Sequence, residues 1–415
     1  VFPRRSRFLG PRSAALTSLL ALAVAATACG TPAPAVKTGT GVTDKTIRLG
    51  ALSDLSGPFG PLGEAVVQGN QLYVDKLNAD GGICGRQIEL DVQDTGFDSN
   101  KATQLYFKME PTVLGLLQVV GSEITSRITP DMLQQQVMAA PTSWSSDLLG
   151  NPYMVVVGAT YDLDVINSLD YLLRQGKLQK GDTIGHIYLN DPEYGGNALQ
   201  GSQFVADKMG LTLKAIEVPP NKTDFTAEIG QLKAAGAKAV AISTYPQQTA
   251  MAVGTAAAAG LTVPFLVSNP GFDPSVLASP AGPAFQQLVL VSSSVAPYSA
   301  KIPAAENLAT AYKAKYPNGK PSLAMVYGYV VGIGYAAILK RACAEGDLTR
   351  AGVQKAFHEL TGVDTGGLTA PLLFSSSNYP SSRQSFVLRP DPKTAGGLDI
   401  VDPLKESDLV RQRIG

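Results

Sequence analysis

Histidine is almost missing from this chain: there are two in 415 residues, alongside three cysteines and a single tryptophan. The two histidines, His186 and His358, stand far apart, and no Cys-His spacing recurs, so the sequence offers no metal-ligand set. His186 lies within the apolar stretch Ile184-Gly185-His186-Ile187-Tyr188, and His358 within a helical pattern, so both read as structural. A hydrolase would need a nucleophile, a base and an orienting partner, and neither histidine is a credible base. There is no G-x-S-x-G elbow, no P-loop, and no G-x-G-x-x-G following a strand. The spaced glycines of residues 328–334 (GYVVGIG) sit in an apolar helical run and read as close helix packing. Neither sign of charge is in excess. The formal net charge is zero, no basic stripe follows the first residues, and nucleic acid is therefore not expected as a partner. No cofactor is expected, and nothing points to catalysis.

What is present starts with an address. Arg4, Arg5, Arg7 and Arg12 precede an uncharged apolar run at residues 14–28. This is the layout of a secretory signal and is short for a membrane span. The run ends Ala26-Thr27-Ala28-Cys29-Gly30, which resembles a lipoprotein cleavage site with Cys29 as the lipidated residue. The alternative is ordinary cleavage with Cys29 incidental. The sequence thus predicts a signal peptide at 1–28, a flexible Pro/Gly/Thr tether at 29–43, and a protein anchored by lipid to the outer face of a membrane, or periplasmic if Cys29 is not lipidated. The two cysteines that remain, Cys84 and Cys343, form an even pair in an exported chain, which favours a disulfide over two separate buried thiols.

The rest of the chain alternates strands with helices. Apolar runs at 46–52, 87–93, 113–120, 137–140, 183–189, 211–218, 239–244, 265–268 and 288–292 read as strands. Helical patterns occupy 62–79, 99–109, 163–174, 196–209, 226–235, 248–259 and 304–316, and glycine or proline marks most joins. Short strands alternating with longer helices predict an α/β fold of parallel sheets covered on both faces.

The stretch Ile47-Arg48-Leu49-Gly50-Ala51-Leu52-Ser53-Asp54-Leu55-Ser56-Gly57-Pro58 reads as a strand and a Gly/Pro/Ser loop. It is followed by the helix containing Gly69-Asn70-Gln71-Leu72-Tyr73 and by the turn Gly81-Gly82-Ile83-Cys84-Gly85-Arg86. These residues resemble the opening of the leucine/isoleucine/valine-type solute-binding proteins of ABC importers, and the resemblance runs from Thr46 to about Pro390. It implies a type I periplasmic binding protein: two doubly wound lobes joined by a three-segment hinge. The crossings would fall near 158–160, 294–297 and 374–377, so that 44–158 with 297–374 make one lobe and 159–296 with 375–415 the other. Cys84 and Cys343 would then share the first lobe. The function implied is a monomeric receptor that captures a small solute and delivers it to a membrane permease. The alternatives are a sensor serving a signalling partner and, from the enzyme class, an amide hydrolase.

The resemblance also implies a ligand site in the cleft between the lobes. Ser122, Thr125 and Ser126, in the segment Val120-Gly121-Ser122-Glu123-Ile124-Thr125-Ser126 before a helix expected near Thr129-Pro130, match a carboxylate cradle. Thr142 and Trp144 lie in the second contacting segment. Tyr194, in Asp191-Pro192-Glu193-Tyr194-Gly195, and Tyr245 match cleft aromatics. Asn269 stands where amino-acid binders commonly carry an acid, and Leu62 is apolar where they often have an aromatic or a hydroxyl. A neutral amide lacks the charge-assisted grip of a carboxylate on an ammonium group. Glu123, Asp191 or Glu193 could supply that charge instead. The expected ligand is therefore amino-acid-like, an amide, or a small organic acid.

Overall fold

A computed structural model describes residues 36–375 and 378–414. The expected signal peptide, the lipidation site Cys29 and the first part of the tether lie outside the described residues. Residues 37–43 do not behave as a tether. The short strand β1 (Lys37–Thr38) pairs with a strand near residue 347, and the Arg48 N–H donates to the Gly41 carbonyl at 2.7 Å. Main-chain pairing overrides a composition that by itself suggests disorder.

The first sheet is wholly parallel. It is built from β2 (Thr46–Ser53), β3 (Gln87–Asp94), β4 (Gly115–Val120) and β5 (Ala139–Thr142), in the order β3-β2-β4-β5. Every residue of β4 is buried, as expected of an inner strand covered on both faces. The helices α1 (Gly60–Ala79), α2 (Ser99–Met109) and α3 (Ser122–Gln135) lie between these strands in the chain. α3 begins at Ser122, earlier than the Thr129-Pro130 start expected, and Pro130 falls inside it. The cause is Gly121, whose φ of 106° turns the chain directly from β4 into the helix.

The second sheet has seven strands. After α4 (Tyr161–Arg174) come β6 (Thr183–Leu189), α5 (Asn197–Met209), β7 (Thr212–Val218), α6 (Thr226–Ala234) and β8 (Ala237–Ser243). These are followed by α7 (Pro246–Ala258), β9 (Phe265–Ser268), α8 (Gly282–Leu288) and β10 (Val289–Ser293). The chain then returns to the first lobe with α9 (Pro303–Lys315), α10 (Leu323–Ala344), β11 (Asp347–Leu348, the partner of β1) and α11 (Arg350–Glu359). It ends in the second lobe with β12 (Ser385–Pro390), β13 (Leu398–Lys405) and α12 (Asp408–Ile414), giving the order β13-β12-β10-β9-β8-β6-β7. The last two strands were not foreseen, and they run antiparallel at one end of a sheet otherwise parallel.

The 22-residue α10 is long and apolar enough to resemble a membrane span, but it is a core helix packed on α1. A Cβ on Gly328 would come within 2.2 Å of the Val66 carbonyl oxygen, so the two helices approach to a distance that only glycine permits. Cys84, in the turn after α1, is bonded to Cys343 near the end of α10, with Cα atoms 5.9 Å apart.

The chain crosses between the sheets three times, and the crossings meet. The Gly158 N–H donates to Ser381 Oγ at 2.9 Å, and the Ser382 N–H donates to the Gly158 carbonyl at 3.3 Å. A Cβ on Gly158 would lie 2.2 Å from Ser294 Oγ. Gly158 and Ser294 belong to the first two stretches in which crossings are expected. In the third, the contact is made by residues 381–382, just beyond the expected stretch.

Candidate functional site

Between the two sheets, beyond the carboxyl ends of β4, β5 and β6, lies a small cavity in the position open α/β sheets reserve for ligands. Its first-lobe wall includes Val120, Gly121 and Ser122 at the turn into α3, Thr142 at the end of β5, and Trp144. Phe59, Leu62 and Phe97 complete that side, and Tyr161, Asp191, Tyr194 and Pro270 form the opposite one. The space left between them is about 20 Å³, room for roughly one water molecule.

An aromatic column crosses the site. Tyr327 of α10 packs at a tilt of 60° against Trp144, 4.6 Å between centroids, Trp144 lies 5.8 Å from Tyr161, and Tyr161 lies 4.8 Å from Tyr194. Each ring is held by a polar bond. Trp144 Nε1 donates to the Val157 carbonyl at 2.9 Å, and the Tyr327 hydroxyl donates to the Pro141 carbonyl at 2.9 Å. The Tyr194 hydroxyl lies 2.8 Å from Ser268 Oγ and donates to the Thr244 carbonyl at 3.3 Å. Burial pushes the Tyr161 phenol up to about 12 and the Tyr194 phenol well above its usual value, so both remain neutral hydroxyls.

The polar lining consists mainly of hydroxyls. Ser122 Oγ sits 2.8 Å from Ser143 Oγ and 3.5 Å from the Tyr161 hydroxyl. The first-turn N–H groups of α3 have no partner within the helix and give that corner positive character. The one carboxyl group in the lining is Asp191, which accepts the N–H groups of Glu193 and Tyr194 at 2.9 and 3.0 Å. Burial raises its pKa to about 6, with nearby Glu193 adding to the rise.

Four of the eight expected ligand residues, Ser122, Thr142, Trp144 and Tyr194, line this cavity. The other four are not among its lining residues. Thr125 donates its hydroxyl to the Gly121 carbonyl at 2.7 Å, which makes it a brace for the turn. Ser126 lies half-buried one residue further along α3. Tyr245 packs edge-on against Phe59 at 4.9 Å and faces Phe97 at 6.3 Å, closing the rim without reaching the lining. Asn269 opens a short 3-10 turn, and its neighbour Pro270 faces the cavity instead. Sequence reasoning missed Phe59, Phe97 and Tyr161. A helix start read two residues late hid Tyr161, although its place directly after the Gly158 crossing was a usable signal.

The sequence model of the periplasmic binding protein family matches residues 46–395. The chain belongs to the periplasmic binding protein family. That is a family of exported solute receptors and not of enzymes. Among curated members, this periplasmic binding protein is 28% identical over 238 residues to Leu/Ile/Val-binding protein homolog 8 of Brucella abortus, covering 52% of this chain and 55% of that one. It thus spans about half the length of the curated relatives it matches. Among solved structures, the fatty acid ABC transporter substrate-binding protein from Thermomonospora curvata superposes with a TM-score of 0.87 at 37% identity, covering 91% of this chain and 96% of that one. A branched chain amino acid ABC transporter protein from Thermus thermophilus with bound valine superposes at 0.78 with 18% identity, over 90% of this chain and 99% of that one, a likeness of fold alone.

Proposed function

We propose that this protein is the extracytoplasmic receptor of an ABC importer and takes a solute with a carboxylate head and an apolar body. The observation that carries the reading is the corner formed by Gly121, Ser122 and Thr142. Two hydroxyls and the unpaired N–H groups of a helix start converge there, against walls of Phe59, Leu62, Phe97, Trp144 and Tyr161. Neutral donors at a helix N-terminus suit a carboxylate without needing a lysine or arginine. The relative from Thermomonospora curvata, named for fatty acids, is consistent with an apolar body. A second reading, an amino acid, is favoured by Asp191, whose carboxylate could pair with an ammonium group at neutral pH.

Capture follows from closure. A solute docks on one lobe and draws the other over it, because contacts with both exist only in the closed form. The three crossings that meet at Gly158 would serve as the hinge between lobes 44–158 with 297–374 and 159–296 with 375–415. A membrane permease is the proposed partner. Cys29, lipidated after loss of residues 1–28, would hold a monomeric receptor beside it.

The test is a thermal-shift panel of aliphatic acids, amino acids and amides. A binder at a hundred times its dissociation constant adds about 2.7 kcal/mol and moves the midpoint by degrees. Shifts with acids, cut to about half in Ser122→Ala and Thr142→Val at the same ligand concentration, support the carboxylate corner. Each variant is expected to weaken binding roughly tenfold, as for a lost hydrogen bond to a charged group. If neither acids nor amino acids shift the folded protein, the carboxylate reading fails.

A further inference from the structure

One wall of the cavity is held in a backbone conformation that its residue disfavours. Phe97 has a φ of 60°, in the left-handed region. Among the described residues other than glycine, only Cys84 and Gln136 share a positive φ, and each has a local reason. Cys84 is tied by its bridge to Cys343, and Gln136 ends α3, where a left-handed residue is a usual stop. Phe97 has neither. Its ring is half-buried, so filling a core does not account for the strain. The surrounding loop fixes it in place. The Phe97 N–H donates to Thr95 Oγ1 at 3.2 Å, and buried Thr95 donates its hydroxyl to the Ser53 carbonyl at 3.1 Å. On the other side, Asp98 caps α2 by accepting the Asn100 and Lys101 N–H groups at 2.8 Å.

The strain puts the ring where the solute site needs a cover. A Cβ on Gly121 would lie 2.8 Å from Phe97 Cε2, so the ring rests on the turn that leads from β4 to Ser122. Two further rings continue the cover. Phe59 meets Phe97 edge-on, 5.2 Å between centroids, and Tyr245, arriving from the end of β8 in the second sheet, stands 6.3 Å away at 90°. Tyr245 is also 4.9 Å from Phe59, so rings from both sheets meet at the rim. Of the three, Phe97 is the one that stands against Gly121. With about 20 Å³ left in the cavity, a solute group larger than a water at this corner has to contend with that ring.

We propose that Phe97 is a specificity-determining residue: its ring, fixed by a strained backbone, is the lid that limits the size of the solute group accepted at the Gly121–Ser122 corner. The lid acts on any solute of this cleft, and only the binding arm of the test rests on the carboxylate reading above. Two variants of the whole protein, Phe97→Gly and Phe97→Ala, test it. Only glycine adopts this φ freely, so Phe97→Gly should melt higher than Phe97→Ala, and the reverse order overturns the strain. Trp144, the single tryptophan, lines the same cavity and is 4% exposed, so its fluorescence reads the lid without any ligand. Acrylamide quenching should rise severalfold in both variants, and wild-type quenching in a folded Phe97→Gly overturns the lid. Calorimetric titration with acetate and phenylacetate then reads specificity. An apolar space left by a ring takes up a ring, so the preference for phenylacetate over acetate should be about tenfold greater in Phe97→Gly than in the wild type. An unchanged preference overturns the role in specificity. Raised quenching with neither acid bound by either protein overturns the carboxylate reading and keeps the lid.

Discussion

Asp164 is buried in the first turn of α4, where its carboxyl accepts a hydrogen bond from Ser385 and neighbours Asp162. Burial is the main cause that raises its pKa to about 7. An acid raised in the folded state holds its proton more tightly there than in the unfolded chain. It costs nothing below about pH 4 and destabilises increasingly as pH climbs from about 4 to 7. Asp164→Asn retains an acceptor for Ser385 and carries no charge. Between pH 5 and pH 8 the wild-type melting midpoint should fall by several degrees more than that of the variant. Parallel midpoints across that range would mean that the carboxyl is stabilised in its charged form. His186 presents the opposite case: its ring nitrogens lie 2.8 Å from Ser202 Oγ and 3.1 Å from Ser243 Oγ. Burial lowers its pKa to about 3, so it stays a neutral structural group, as its apolar strand suggested.

At the scale of elements, the Cys84–Cys343 bridge ties the turn between α1 and β3 to the far end of α10, across 259 residues of sequence. It therefore supports a helix pair already in close contact at Gly328 and Val66. Cys343→Ala should lower stability by about 2–4 kcal/mol, less than chain entropy alone assigns to so long a loop. The unreduced protein should weigh two hydrogens less than the reduced form, and equal masses would rule the bridge out. The β12–β13 hairpin shows how an element can escape notice. Ser385–Pro390 is buried but carries Arg389 and Pro390, and Leu398–Lys405 is half polar, so neither reads as a core strand. Its turn nevertheless supplies Pro392, Thr394 and two glycines to the wall of a solvent-open pocket that also takes in the first turns of α1.

At the scale of the whole molecule, the proposed hinge converges on Gly158, which has a φ of 104° and no room for a Cβ beside Ser294. Gly158→Ala should strain this junction and shift the balance between open and closed forms. Small-angle scattering of the wild type should show the radius of gyration falling when a bound acid is added. The variant should contract less and bind at least roughly tenfold more weakly. Wild-type affinity and contraction in Gly158→Ala would remove this residue from the hinge.

The order of most strands and helices up to β10, the α/β class and the family were legible in the sequence, because they depend on local periodicity and on a run of residues near the start. Thr183–Leu189 and Phe265–Ser268 were read to the residue, since glycine, proline or polar groups bound them on both sides. The even cysteine pair also suggested its own bridge. Tertiary structure decided which polar residues face the cavity. Ser122, Thr125 and Ser126 share one stretch of sequence and one helix face, but of the three only Ser122 lines the space, since the other two lie about 4.5–6 Å further along the helix axis, away from its N-terminus. It also decided that Tyr161 and Asp191 line the same cavity as Ser122, and that a solvent-open pocket of about 700 Å³ lies where four distant segments converge. Both depend on contacts between residues far apart in the chain, which no local pattern encodes.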